Sequence, residues 1–277
     1  MSERAAVAPP LISVVIPTCS ADRYLPDCLQ SLAEQTWREF EVIVVDNGST
    51  DEAAAAVAER FPWVRLIRLR GRQGFSKPVN IGCRAAAADL LFVLNDDTVL
   101  APDCLAELLA AARTRPEVSW FAALMVYHDD PGLVNSAAHI LLPWGWVLDW
   151  GARQPLAGDF LTPQPVFGAC AGAALYRKSM FDELGGFDER LRFLYEDVDL
   201  NFRAQLAGHA CWTVPSARVQ HRVAQSLGAS SPAYVQALFC NAALCLLGDL
   251  PPAFCRRYRR QVLYYWVMSL ADQIRLR

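Results

Sequence analysis

Several things are scarce in this chain. Lysine is nearly missing: Lys77 and Lys178 are the only two, and every other basic residue is arginine. Charge of either sign is modest, at 20% of residues with a net of −3, which excludes a nucleic-acid surface as the main partner. No uncharged apolar run reaches the roughly 18–20 residues of a membrane span. The longest candidate, Ala237 to Leu247, is too short and is followed by Asp249 and two prolines. The first ten residues hold one arginine and no apolar core, so a signal peptide is not expected; residues 1–10 read as a disordered start and the protein as cytoplasmic. The nine cysteines are odd in number and none has CxxC spacing, which excludes a disulfide framework and a zinc knuckle. No GxGxxG is present, which removes the dinucleotide fingerprint.

What remains is a chain with 53% hydrophobic residues, ample for a core, in alternating strand and helix patterns. Leu11 to Ile16 is a β-branched run suited to a buried strand. Leu25, Cys28, Leu29, Leu32 and Ala33 recur at helical spacing. Glu41 to Val45 is a second buried strand that closes on the turn Asp46-Asn47-Gly48-Ser49. An Ala-rich helix over 51–61, a half-exposed strand over 64–69, a helix over about 78–88 and a strand over 90–94 follow. Strands alternating with helices predict a mostly parallel, doubly wound α/β sheet, whose ligands bind beyond the carboxyl ends of the strands. Three such ends carry Pro17-Thr18, Asp46 and Asn95-Asp96-Asp97, which should converge on one crevice. After about residue 115 the alternation weakens. Strands are expected over 118–126, 173–176, 210–214 and 218–221, an irregular loop or hairpin over 144–154, a helix over 196–206, and helical structure from 231 to 277.

The candidate chemistry lies at these ends. Asp96 and Asp97 can hold a divalent cation against phosphates, although Asn and Asp are also the default turn formers. Asp46 can accept from a base or ribose, or serve the turn alone. Glu196, Asp197 and Asp199 crowd three carboxylates into four residues, which raises at least one pKa and suits a base, while carboxylates at a helix start also cap. His221 ends a strand; it is a metal ligand or an ordinary polar residue. Gly74-Phe75, with Asn80 and Gly82, opens a helix and can bring backbone N–H groups to a phosphate.

Each signal is weak alone, but their order is specific. SVVIPT from Ser13, VIVVDNGSTD from Val42, Gly74 to Gly82, LFVLNDDT from Leu91, Gly168 to Arg177 and GGFDERLRFLYEDVDLNFRAQLAGH from Gly185 together resemble the family-2 glycosyltransferases, in their rhamnosyltransferase-like branch. The resemblance spans roughly 11–230. It implies a nucleotide-diphospho-sugar transferase fold of the GT-A type over those residues, followed by a helical C-terminal extension over 231–277. It further implies that Pro17, Thr18 and Asp46 cradle the nucleoside. Asp97 would hold Mg²⁺ or Mn²⁺ with Asp96 beside it, and His221, followed by Ser226, would join the metal. Asp197 would be the general base and Glu196 would position it or the acceptor. Arg203, on the same helix, would balance the carboxylates. The implied reaction is an inverting, metal-dependent transfer from a dTDP- or UDP-sugar, with rhamnose favoured by the branch, to a glycan or lipid-linked acceptor in surface polysaccharide synthesis. The sequence departs from the family at Arg72, at Lys77-Pro78 and at Asn95, where the metal motif more often begins with Asp.

Two other readings compete. A sugar nucleotidyltransferase would want a Gly-rich basic loop after the first strand, where this chain has Cys19 to Arg23 without glycine. A catalytically inactive sugar-nucleotide-binding subunit would not need Asp97, Glu196 and Asp197 together. At the C-terminus, Arg256, Arg257, Arg259, Arg260, Arg275 and Arg277 flank Tyr264, Tyr265 and Trp266, which suits either peripheral contact with an anionic membrane or a helix packed on protein. Trp144, Trp146 and Trp150 could stack on a sugar ring or simply fill a core.

Overall fold

The computed structural model describes residues 10–143, 145–223 and 232–248, and, beyond those, 256–260, 263, 264 and 267. The expected disordered start (apart from Pro10), Ser226, Trp144 and the last arginines lie outside the described residues.

The first third is the predicted parallel unit. It runs β1 (Ile12–Thr18), α1 (Leu25–Ala33), β2 (Phe40–Asp46), α2 (Asp51–Arg60), β3 (Arg65–Arg68), α3 (Ser76–Ala85) and β4 (Leu90–Leu94). Alternation sorts β1 onto both faces. Ile12, Val14 and Ile16 join Leu25, Leu29 and Leu32 of α1 in one buried cluster, while Val15 joins Val79 and Cys83 of α3 in another. Gly82 permits the second contact, since a Cβ there would lie 2.4 Å from Val15 and 3.1 Å from Val45. The Thr50 side chain caps α2 by accepting from the Ala53 N–H. The predicted helix over 78–88 begins two residues earlier and stops at Ala85, which places Pro78 in the first turn, where its missing N–H costs nothing.

Beyond β4 come β5 (Thr98–Leu100), α4 (Cys104–Thr114), β6 (Trp120–Tyr127), β7 (Val134–Ser136), β8 (His139–Leu141) and β9 (Val147–Asp149). These are followed by β10 (Pro165–Val166), β11 (Ala173–Arg177), α5 (Lys178–Glu183), α6 (Glu196–Leu206), β12 (Cys211–His221) and α7 (Pro232–Gly248). The main sheet runs β10-β12-β6-β11-β4-β1-β2-β3. Its long ladders are parallel, but β11 lies antiparallel between β4 and β6. That reversal is why the βαβ rhythm fades in the second half of the sequence. It also brings the start of β11 beside the end of β4, where the Asn95 N–H donates to the Gly172 carbonyl at 3.0 Å. The two strands expected over 210–214 and 218–221 are one, β12, whose register against β6 shifts between Val214 and Arg218 around Pro215. Of the stretch 144–154, expected as an irregular loop or hairpin, Val147–Asp149 is β9, which pairs with β8, a strand that lies before the stretch.

The eight described cysteines are free, and burial pushes the Cys28 and Cys83 thiols up to about 12, so these two are inert core residues. Among the described residues no helix is long and apolar enough to cross a membrane.

Candidate active site

A cavity of about 620 Å³ opens at the carboxyl ends of the parallel strands. Of the residues singled out in the sequence, Pro17, Thr18, Gly74, Asp96, Asp97, His221, Glu196 and Asp197 all line it. Asp46 and Asn80 do not.

The strand-end group is wired together. Parallel pairing of Thr18 with Asp46 and of Val15 with Val93 aligns the ends of β1, β2 and β4. Thr18 Oγ1 donates to Asp96 Oδ2 at 2.5 Å. Burial, and then the neighbouring Asp97 charge, push Asp96 up to about 6 despite that hydrogen bond. His221 arrives from the end of β12, which pairs with β5 just beyond the Asn-Asp-Asp turn. Its Nε2 sits 3.2 Å from Asp97 Oδ1, and its Nδ1 lies 2.8 Å from Asn135 Oδ1. An amide oxygen only accepts, so His221 Nδ1 carries a proton, and its Nε2 is the nitrogen that faces Asp97 and would offer a lone pair to a cation placed between them. The Asn95 amide nitrogen, 3.5 Å from Nε2, is compatible with that lone pair. A carboxylate oxygen and an imidazole nitrogen at this separation, with the second imidazole nitrogen anchored, form a donor set that fits Mg²⁺ or Mn²⁺.

Asp46 is engaged below the cavity. Its Oδ1 accepts from the Ser49 N–H at 2.9 Å and its Oδ2 pairs with Arg68 Nε at 3.2 Å. The next residue, Asn47, reaches the cavity instead, and its side chain clamps the following loop by donating to the Gly74 carbonyl and accepting from the Gln73 N–H. Gly74 has φ +86° and lies so close to the Arg192 carbonyl that a Cβ would be 2.3 Å from it. Asn80 Nδ2 donates to the Phe187 carbonyl and its Oδ1 accepts from the Phe187 N–H. These two residues join α3 to the Gly185-Arg192 loop, and the Asn80 side chain is not free for a phosphate. Arg72 lines the cavity, as does Trp146, whose ring is 6.5 Å from that of Tyr195; Trp150 packs on Phe160.

The carboxylates arrive on α6. Leu194 and Tyr195, which precede it, both hold positive φ, at 67° and 69°, a conformation that is costly outside glycine and concentrates at functional sites. α7 braces this turn: Asn241 Nδ2 donates to the Phe193 and Leu194 carbonyls at 2.8 Å each, and Leu238 contributes to the cavity wall. Asp197 Oδ2 accepts from the Ala171 N–H at 2.9 Å and its Oδ1 from the Val198 N–H at 2.8 Å. Burial, followed by the Asp197 charge, drives Glu196 well above the usual carboxylate range. Its Oε2 is buried with no hydrogen-bond partner among the described residues. Asp199 turns away and receives both Nε and Nη2 of Arg203, which also donates to the Leu184 and Gly186 carbonyls.

Sequence reasoning missed His139, at the start of β8. Its Nε2 lies 3.5 Å from Asp149 Oδ1 and 3.9 Å from Asp197 Oδ2, and its Nδ1 lies 3.1 Å from Asn201 Nδ2. Burial lowers its pKa, but Asp197 and Asp149 raise it, and the net direction is upward. No local signal marks it; a histidine in an apolar stretch reads as core.

The glycosyl transferase family 2 description matches residues 13–185. An N-acetylglucosaminyl-diphospho-decaprenol L-rhamnosyltransferase of Mycobacterium tuberculosis is 31% identical over 254 residues, covering 82% of this chain and 81% of that protein. Among solved structures, TarS of S. aureus superposes with a TM-score of 0.62 at 20% identity, over 91% of this chain but 42% of that longer chain. GalNAc-T7, solved with UDP, GalNAc and Mn²⁺, superposes with a TM-score of 0.67 at 16% identity, over 96% of this chain and 57% of that one. The fold is that of the GT-A glycosyltransferases. The chain is a glycosyltransferase and belongs to glycosyl transferase family 2.

Proposed function

We propose that this glycosyltransferase moves a sugar, with inversion, from a nucleotide diphosphate to a hydroxyl of a lipid-linked glycan, using a divalent cation. The observation that carries the reading is that one cavity is lined both by the Asp97–His221 pair and by Asp197 with Glu196. Pro17, Thr18 and Asn47, at the strand ends, offer the nucleoside its seat, with Asp46 shaping the turn beneath.

Asp97 and His221 would hold Mg²⁺ or Mn²⁺. Such a cation, when bound, supplies positive charge to the diphosphate. The acceptor hydroxyl oxygen forms the new bond to the anomeric carbon as the bond to the diphosphate oxygen breaks, and that electron pair leaves with the diphosphate. Asp197, fixed by two backbone N–H groups, takes the hydroxyl proton. Burial beside Asp197 raises the Glu196 carboxyl well above the usual range, and its unpartnered oxygen is open to a hydrogen bond with the acceptor. Holding both substrates in one cavity supplies a further part of the acceleration.

The L-rhamnosyltransferase relative supports rhamnose as the sugar and a polyprenyl-diphosphate-linked sugar as the acceptor, and dTDP or UDP would carry the rhamnose. Residues 11–230 form the catalytic domain and 231–277 an extension. The exposed Arg256, Arg257, Arg259, Arg260, Leu263 and Tyr264 of that extension give it an anionic membrane surface to rest on. Thermal-shift screening of UDP, dTDP, GDP and their sugars with and without Mg²⁺ or Mn²⁺ tests the reading. The expected result is a metal-dependent rise for one nucleotide that Asp97→Ala abolishes. No rise for any nucleotide with either metal sinks it.

A further inference from the structure

Two histidines line the cavity, and each has its Nδ1 against an asparagine side chain, but the asparagines face them in opposite senses. Asn135 offers His221 its oxygen. Asn201 offers His139 its nitrogen, and the rest of the Asn201 amide leaves it no alternative. Its Oδ1 accepts from Trp120 Nε1 at 3.0 Å and from the Ala169 N–H at 3.3 Å, while its Nδ2 donates to the Ala169 carbonyl at 3.1 Å. An indole N–H and a peptide N–H only donate, and a carbonyl only accepts. Turning the amide over would set donor against donor at two contacts and acceptor against acceptor at a third. The site is also tight: a Cβ on Gly168 would lie 2.1 Å from Asn201 Cγ.

The second Asn201 N–H therefore points at His139 Nδ1, which has to accept, and the imidazole proton resides on Nε2. That N–H faces Asp149 from β9 and Asp197 from α6, with the Cys170 thiol alongside from the segment before β11. Both carboxylates favour a second proton on the ring, but the only free position is Nδ1, where it would meet the Asn201 N–H head on. The same lock disposes of another reading of this corner. His139, Asp149 and Cys170 bring ligand-type atoms within 4.8 Å of one another, but a protonated Nε2 has no lone pair for a metal.

We propose that Asn201 locks His139 as the neutral Nε2–H tautomer, and that His139 held in this way is a positioning residue for Asp197. The role rests on the reading of Asp197 as the base; the tautomer does not. An imidazolium beside Asp197 would pair with it and lower its appetite for the acceptor proton. A neutral N–H adds a third donor facing a carboxylate that two backbone N–H groups already hold, and leaves its charge intact. The separations of 3.5 and 3.9 Å are longer than a formed hydrogen bond, so the positioning role requires the His139–Asp197 distance to shorten in the substrate-bound enzyme.

Long-range ¹H–¹⁵N spectra of the whole protein test the tautomer. The chain has four histidines, so the His139 signals are assigned by their loss in His139→Gln. The expected result at neutral pH is a protonated Nε2 and an unprotonated Nδ1; an Nδ1–H tautomer or an imidazolium overturns the proposal. Asn201→Asp turns the donor into an acceptor. We expect an imidazolium at neutral pH and an acid limb of kcat displaced upward by about one unit or more, and an unchanged titration overturns the lock. His139→Ala should lower kcat by about 10²-fold with the donor KM unchanged, whereas His139→Gln, which keeps an N–H at that reach, stays within several-fold of the parent. Equal losses in the two variants overturn the positioning role. Full turnover in Asp197→Asn removes the base reading and the positioning role with it, while the spectra still decide the tautomer.

Discussion

At the metal-facing side of the cavity Asn135 accepts from His221 Nδ1 and leaves Nε2 to meet a cation; beside the α6 carboxylates Asn201 donates to His139 Nδ1 and leaves Nε2 to carry an N–H. The ring is the same and its neighbour is the same residue type, yet one imidazole is prepared as a ligand and the other as a donor. The difference lies one layer further out. Trp120 Nε1 and the Ala169 backbone dictate which way the Asn201 amide points, so a core tryptophan with no exposed surface sets the chemistry of a cavity histidine. What a histidine can do in this fold is decided by the partner of its partner.

The harshest way to break the comparison is to remove the acting group on each side. Asp197→Asn should lower turnover by about 10³-fold, within the span of general base catalysis, while the metal-dependent thermal shift with nucleotide survives. Asp97→Ala should lose both. If Asp197→Asn also abolishes the nucleotide shift, the two sides are not separable and α6 belongs to the donor site. A gentler cut is Asn135→Leu, which removes the oxygen that keeps the His221 proton on Nδ1. We expect metal affinity to fall by about 10–100-fold, read as a rightward shift in the Mn²⁺ dependence of the nucleotide melting curve, with the His139 spectrum unmoved.

Asp96 sharpens the contrast through pH. Its carboxyl is raised from 3.8 to about 6 by burial, so above pH 6 the folded state carries a poorly solvated charge that the unfolded chain does not. As pH falls from 6 to below 4 the folded carboxyl takes its proton before the unfolded one, and this destabilisation disappears. In metal-free buffer Asp96→Asn should therefore be more stable than the parent at pH 8, by about 2–3 kcal/mol, with the gap closing by pH 4. A gap that is constant across pH, or that widens as pH falls, contradicts the assignment.

The two sides also differ in how far the sequence announced them. The parallel unit was legible because β1, β2 and β4 are largely buried on both faces and read as unbroken apolar runs, because β3 alternates as a half-exposed strand does, and because Pro17-Thr18 and Asn95 to Asp97 sit where the runs of β1 and β4 stop. The limits of α6, Glu196 to Leu206, were legible from its acidic start. Less visible was everything that depends on partners distant in the chain. Nothing near Asn80 or Gly74 says that the one bonds the Phe187 backbone and the other packs against the Arg192 carbonyl, each more than 100 residues away. Pro215 split β12 in two on paper, whereas a shift in register carries the strand past it. His139 and Asn201 are 62 residues apart, each ordinary in its own surroundings, and only the packing that brings β8 against α6 gives either one a role.

The smallest effect concerns the helix read in the sequence as an extension. Asn241 of α7 donates to the Phe193 and Leu194 carbonyls, the peptide groups that precede the two positive-φ residues Leu194 and Tyr195, which aim Glu196 and Asp197 into the cavity. Each such conformation costs on the order of 1 kcal/mol and persists only while its surroundings enforce it. Asn241→Ala removes the shared donor, at about 1–2 kcal/mol, which in a domain of this size is a drop of a few degrees in Tm. Turnover should fall several-fold, far less than in Asp197→Asn, with the metal dependence and the His221 tautomer unchanged, because the Asn241 hydrogen bonds go to the turn before α6. A lower Tm with full turnover would make α7 a brace for stability alone. A fall in turnover without loss of Tm would place the C-terminal helix within the machinery that holds the carboxylates.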